Sequence, residues 1–151
     1  MTTRDVDNFI RRRKEIYMGL KSITARNYEG VVILSYKPVI IHLYANWCSG
    51  PCGMVENMLA EVQEEYGEYI NMVKMSLDTQ PDLTELFEVD KIPLTLMMTG
   101  GVITKKVYGL PSKEEFIEEM ELPIIKDFRD RGLTYHPKRN YIPGYIKNEY
   151  Y

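Results

Sequence analysis

Both cysteines of this chain lie in one run, Trp47-Cys48-Ser49-Gly50-Pro51-Cys52, between a strand-like and a helix-like segment. Residues 39–45, Val-Ile-Ile-His-Leu-Tyr-Ala, have the length and β-branched content of a buried strand. Beyond the cysteines, Val55, Met58, Leu59, Val62 and Tyr66 mark the core face of a long helix ending near Gly67. A thiol pair at such a junction sits where a helix N-terminus offers partial positive charge and unpaired N–H groups. Both favour the thiolate, which is the reactive species. Two cysteines in one short segment therefore point to reaction chemistry. With no third cysteine in the chain, a disulfide scaffold and a zinc cage are both excluded.

The rest of the chain alternates strand and helix signals. Residues 70–77 read as a strand, 82–87 as a short helix and 95–98 as a strand. Gly100-Gly101 then makes a hairpin turn, 102–108 returns as a strand, and 113–120 is an acidic helix. Pro123 interrupts this last helix, and 124–131 forms another closed by Gly132. This order is an α/β pattern. Upstream, 3–20 reads as an amphipathic helix carrying Arg11-Arg12-Arg13-Lys14, and 31–36 as a strand broken by Lys37-Pro38. From Thr134 the period is lost, and tyrosines alternate with Lys138, Arg139 and Lys147. Such a tail builds no core of its own; it is expected to dock on a protein partner rather than to wrap its parent domain. The expected organisation is thus 1–37, N-terminal helix and leading strand; 38–122, core; 123–151, short helix and Tyr-rich tail.

At 151 residues the chain is one ordinary domain with extensions. A net charge of −3 disfavours a surface built for nucleic acid. Stacking of the tail tyrosines on single strands is a weak alternative. No apolar run reaches the ~18 residues of a membrane span. No signal-peptide pattern is present, and the acids around the basic cluster are unusual for a transit sequence. A reducing compartment, the cytoplasm or else an organelle matrix, is expected.

Trp47-Cys48-(Ser49)-Gly50-Pro51-Cys52 after an apolar strand resembles the active-site segment of the thioredoxin family, with Ser49 as an extra residue. Residues 72–81 are similar to that family's third-strand segment, with Lys74 matching its active-site lysine. Ile92-Pro93 falls where the family places its cis-proline, and Gly109 and the acidic helix resemble its closing glycine and last helix. The resemblance covers residues 39–121. It implies a thioredoxin-like three-layer α/β/α sandwich with a mixed central sheet, here with an N-terminal helix and a C-terminal extension. It also implies thiol–disulfide exchange with protein disulfides, without a cofactor or metal. Cys48 is then the nucleophile, exposed at the helix start, and Cys52 the resolving thiol. Gly50, Pro51 and a cis Pro93 shape the site, and Trp47 packs over it.

Two departures from the family pattern stand out. Ser49 puts three residues between the cysteines where the family has two. Helical positions three and four apart have Cα separations of about 5 and 6 Å. Both lie within the roughly 4.4–6.8 Å that a disulfide spans, so Cys48–Cys52 bonding is sterically allowed. His42 stands where the family carries a buried acid beneath the cysteines. It is either a base for the second thiol or a core histidine bonded to a backbone carbonyl. Lys74 likewise either favours charge near the thiol or is a plain strand-end lysine. Two other functions compete. One is a redox-inactive accessory subunit of a larger, possibly organellar assembly, docked by the terminal extensions. The other is a copper chaperone using the Cys pair and His136.

Overall fold

The computed structural model describes residues 20–135. Five strands form one sheet in the order β1-β3-β2-β4-β5: β1 Lys21–Ser22, β2 Val39–Tyr44, β3 Asn71–Ser76, β4 Leu94–Thr99 and β5 Val102–Tyr108. β1 and β2 both run parallel to β3, whereas β4 is antiparallel to β2 and to β5. The sheet is therefore mixed. Four helices pack on it: α1 Ser49–Tyr66, α2 Pro81–Leu86, α3 Lys113–Glu119 and α4 Leu122–Asp130.

Alternation along the strands sends successive side chains to opposite faces, and each face has its own core. Val39, Ile41, Leu43, Val73, Met75, Leu94, Leu96 and Met98 face one way, beneath Val32, Leu83 and Phe87. Ile40, Met72 and Met97 face the other way, beneath Val55, Leu59 and Val62 of α1, Phe116 of α3 and Leu122 and Ile125 of α4. The result is the three-layer sandwich expected. Gly100 and Gly101 turn β4 into β5 with φ of 60° and 78°, the positive values that a tight two-residue hairpin needs. Ser112 caps α3 reciprocally with Glu115. Pro123, expected to interrupt a helix, instead sits in the first turn of α4, where its missing N–H costs nothing.

The N-terminal region corrects one expectation. Residues 31–36 are not a strand. Glu29–Ile33 is a single wide helical turn, with the Leu34 N–H donating to the Glu29 carbonyl at 2.9 Å. The leading strand is β1, and it occupies the edge of β3 that 31–36 would have needed. Val32 alone of the turn is buried, while Leu34 and Tyr36 are 70% and 75% exposed. The segment between β1 and β2 thus holds a helical turn in place of the expected strand.

Leu20 is buried in the α1-side core; the rest of the expected N-terminal helix lies outside the described residues. At the other end Tyr135 folds back on its own domain. Its hydroxyl donates to Glu121 at 2.9 Å, and its ring lies 5.0 Å from that of Phe128. Residues 136–151, which hold the remaining tail tyrosines and His136, lie outside the described residues.

Candidate active site

The site is built where β2 hands the chain to α1, at the C-terminal ends of the parallel strands. After Tyr44 the backbone makes a short 3₁₀ turn, Asn46–Cys48, closed by the Cys48 N–H donating to the Ala45 carbonyl at 3.0 Å. Asp78, just past β3, accepts from the Asn46 N–H at 2.8 Å and pins the turn to the sheet. Cys48 is the cap residue of α1, and Ser49, Gly50 and Pro51 form the helix's first turn. Pro51 is tolerated there because the first helical N–H groups have no intrahelical acceptor.

Cys48 and Cys52 are joined as a disulfide with a Cα–Cα distance of 5.5 Å. The extra residue is thus absorbed into helical geometry: the cysteines sit one turn apart on one stripe of α1. Cys48 is 5% exposed in this oxidised form, less open than expected of a nucleophile. Trp47 departs further. It is 74% exposed, so its indole projects beside the disulfide instead of packing over the motif.

Pro93 follows a cis Ile92–Pro93 bond. Leu43 pairs with Leu94 as the last rung between β2 and β4, so Pro93 stands at the sheet end from which the cysteine turn departs. Its carbonyl accepts from the Gly109 N–H at 3.0 Å, which ties the closing glycine to the same end.

Beneath the disulfide lies a polar column. His42 pairs in register with Lys74 of β3 on one side and Thr95 of β4 on the other. The imidazole is wholly buried, and neither ring nitrogen has a hydrogen-bond partner of good geometry. It stacks on Tyr44 with ring centroids 5.8 Å apart, and Lys74 Nζ lies 5.5 Å from the Tyr44 ring. Loss of solvent pushes the His42 pKa from 6.5 down to about 4. Glu56 opposes that shift, Lys74 adds to it, and the Cys52 backbone weakly favours the protonated form. The histidine is therefore neutral at physiological pH. The ring is sealed from solvent, with the Cys52 backbone beside it.

Lys74 is not a free strand-end lysine. Its Nζ donates to Glu56 Oε1 at 3.0 Å, and both side chains are largely covered. Sequence reasoning passed over Glu56. Its only signal is spacing: it follows Cys52 by four residues, on the same helical stripe. The structure thus brings Cys48, Cys52, His42, Lys74 and Pro93 to one end of the sheet, with Trp47, Gly50 and Pro51 on its outer rim. Among the described residues no cluster of three or more His, Cys, Asp or Glu could hold a metal ion. No described helix is long and apolar enough to cross a membrane. A disulfide at a helix N-terminus, beside an exposed indole and above an ion pair, is equipped for thiol–disulfide exchange.

Comparison with known proteins agrees with the geometry. The thioredoxin family profile matches residues 19–122. Thioredoxin M3, chloroplastic, from Oryza sativa subsp. japonica is 33% identical over 106 residues, covering 70% of this chain and 60% of that protein. A thioredoxin from Mycobacterium bovis is 31% identical over 98 residues, 65% of this chain and 84% of its own length. A thioredoxin from Listeria monocytogenes serovar 1/2a is 40% identical over 80 residues, 53% of this chain and 77% of its own. Fold, cis-proline, cysteine pair and sequence agree, and the chain belongs to the thioredoxin family.

Proposed function

We propose that this chain is a thiol–disulfide oxidoreductase of thioredoxin type whose substrates are protein disulfides. The observation that carries the reading is the Cys48–Cys52 bond formed across the first turn of α1. In the reduced protein the Cys48 thiolate attacks a substrate disulfide. One substrate sulfur leaves with the bonding pair, and the other is held on Cys48. Cys52 then attacks Cys48, the Cys48–Cys52 bond forms, and the second substrate sulfur leaves as a thiol. The two electrons given to the substrate come from the two cysteines. The helix N-terminus favours the Cys48 thiolate.

The surrounding residues take supporting roles. Trp47 offers an exposed apolar surface to a docking chain. Pro93 shapes the groove beside it, Gly50 leaves the approach to the sulfurs open, and Pro51 stiffens the turn. His42 and Lys74 set the electrostatics beneath the pair. We place the reaction in a reducing compartment, the cytoplasm or an organelle matrix, and the chloroplast in the rice relative's name is consistent with the latter.

The test is capture. With dithiothreitol as electron source the wild-type chain should turn over a protein disulfide, and Cys48→Ser should not. Cys52→Ser should accumulate a mixed disulfide through Cys48 that dithiothreitol releases. A wild-type chain without turnover, together with a Cys52→Ser chain that alkylates at Cys48 yet captures no substrate, would sink the proposal.

A further inference from the structure

Resting on that reading, we propose that Glu56, and not His42, receives the proton that Cys52 sheds before it attacks Cys48. Cys52 and Glu56 stand one turn apart on α1, positions whose Cβ atoms lie about 5–6 Å from one another. Lys74 reaches from β3 to hold the Glu56 carboxylate at 3.0 Å. That contact draws the carboxylate in against the sheet, instead of leaving it among the exposed residues of α1. Both partners nevertheless keep some contact with water, at 22% and 25% side-chain exposure. A proton taken up by Glu56 therefore has a way out.

His42 has none. Its ring is sealed, and both nitrogens lack a well-formed hydrogen bond through which a proton would pass on. Burial also keeps it neutral across the physiological range. The groups converging on this point are Cys52 and Glu56 from α1, His42 and Tyr44 from β2, and Lys74 from β3. The facing residue of β4 is the uncharged Thr95. Only Glu56 combines a negative charge with access to solvent.

The step balances as follows. The Cys52 Sγ–H bond breaks and its proton passes to the Glu56 carboxylate. The freed electron pair forms the bond to Cys48 Sγ, and the Cys48–substrate bond breaks with its pair on the departing sulfur. That sulfur takes a proton from solvent, and Glu56 returns its own. Lys74 is a positioning residue in this scheme. It orients the carboxylate and offsets its charge, which would otherwise oppose the thiolate forming one turn away.

Ellman's reagent, an aromatic disulfide, separates the two halves of the reaction in the reduced chain. Attack by Cys48 releases one coloured thiolate, and resolution by Cys52 releases the second. In Glu56→Gln the ratio of second to first release rate should fall about a hundredfold near neutral pH, the scale of a lost general base. The deficit should close as rising pH ionises Cys52 unaided, and Glu56→Asp should recover part of the rate. A purely electrostatic role has the opposite sign. Removing the carboxylate leaves Lys74 unopposed, stabilises the Cys52 thiolate and speeds resolution.

The double variant Glu56→Gln/Lys74→Met also removes that stranded cation, and so answers any loss of folding in the single variant. It should stay slow. A wild-type ratio in either variant across the pH range would overturn the proposal. Absence of a second release in the wild-type chain would instead strike the exchange activity on which the inference rests.

Discussion

The α2 face of the sheet and the α1 face are built from alternating residues of the same strands, yet they are filled differently. Toward α2 the inward positions of β2, β3 and β4 are apolar, Val39, Ile41, Leu43, Val73, Met75, Leu94, Leu96 and Met98, except for Asn71 at the far end of β3, which bonds Ser35. Toward α1 the apolar set Ile40, Met72 and Met97 gives way to His42, Lys74 and Thr95 at the end nearest the cysteines. Further along the same face Lys105 is nearly buried against Glu121 at 3.8 Å. Burying such groups costs free energy unless they are paired. A chain that gathers His42 and Lys74 on one face, under its disulfide, has largely separated the layer that holds the fold from the layer that runs its chemistry.

The sharpest test of that separation is a cavity on the apolar face. Leu96→Ala removes a fully buried side chain and should cost about 2–5 kcal/mol in urea unfolding. The equilibrium between dithiol and disulfide should barely move, because Leu96 is separated from the cysteines by the sheet. A large change in redox potential would show the faces to be coupled.

Next in size is the acid response of His42. Its imidazole takes up a proton near pH 6.5 when unfolded but only near 4 when folded. Between those values the unfolded state binds more protons, so stability present above the upper one is lost as the pH falls toward the lower. The loss is on the order of 3 kcal/mol. His42→Leu should erase this dependence and should be no less stable at neutral pH, since two buried nitrogens without a well-formed hydrogen bond leave the core. Parallel acid titrations of the two chains would refute the assignment. The smallest effect belongs to Glu121→Gln, which strips the nearly buried Lys105 of its counter-charge and weakens the Tyr135 contact. Thermal unfolding should report a cost of about 1–2 kcal/mol.

Much of this arrangement is legible in the residues themselves. Strand and helix periods carry β2 through α3 because most are long enough to repeat, and the hairpin glycines announce their own backbone geometry, whereas the cis bond before Pro93 is expected only from the family resemblance. The site cysteines are legible because nothing else in the chain shares their chemistry. What escapes is what depends on pairing across the fold. A two-residue strand such as β1 has no period to detect, and residues 31–36 carry strand composition without an edge to join. Glu56 looks like any solvated acid on a helix until β3 brings Lys74 to it. The same sheet register turns His42 from a candidate base into a sealed, neutral ring, because burial is a property of neighbours rather than of the residue.

The disulfide, finally, encloses only three residues. Four extended residues span about 14 Å, and the bonded cysteines hold their Cα atoms 5.5 Å apart, so oxidation shortens the unfolded chain by roughly 8 Å in about 500. In the folded protein the bond bridges one turn at the start of α1 and ties no second element to it. Gel mobility, sedimentation and scattering are then nearly blind to the redox state. A partner that distinguishes the oxidised from the reduced protein must read the surface immediately around Trp47 and the two sulfurs, not any change of overall shape.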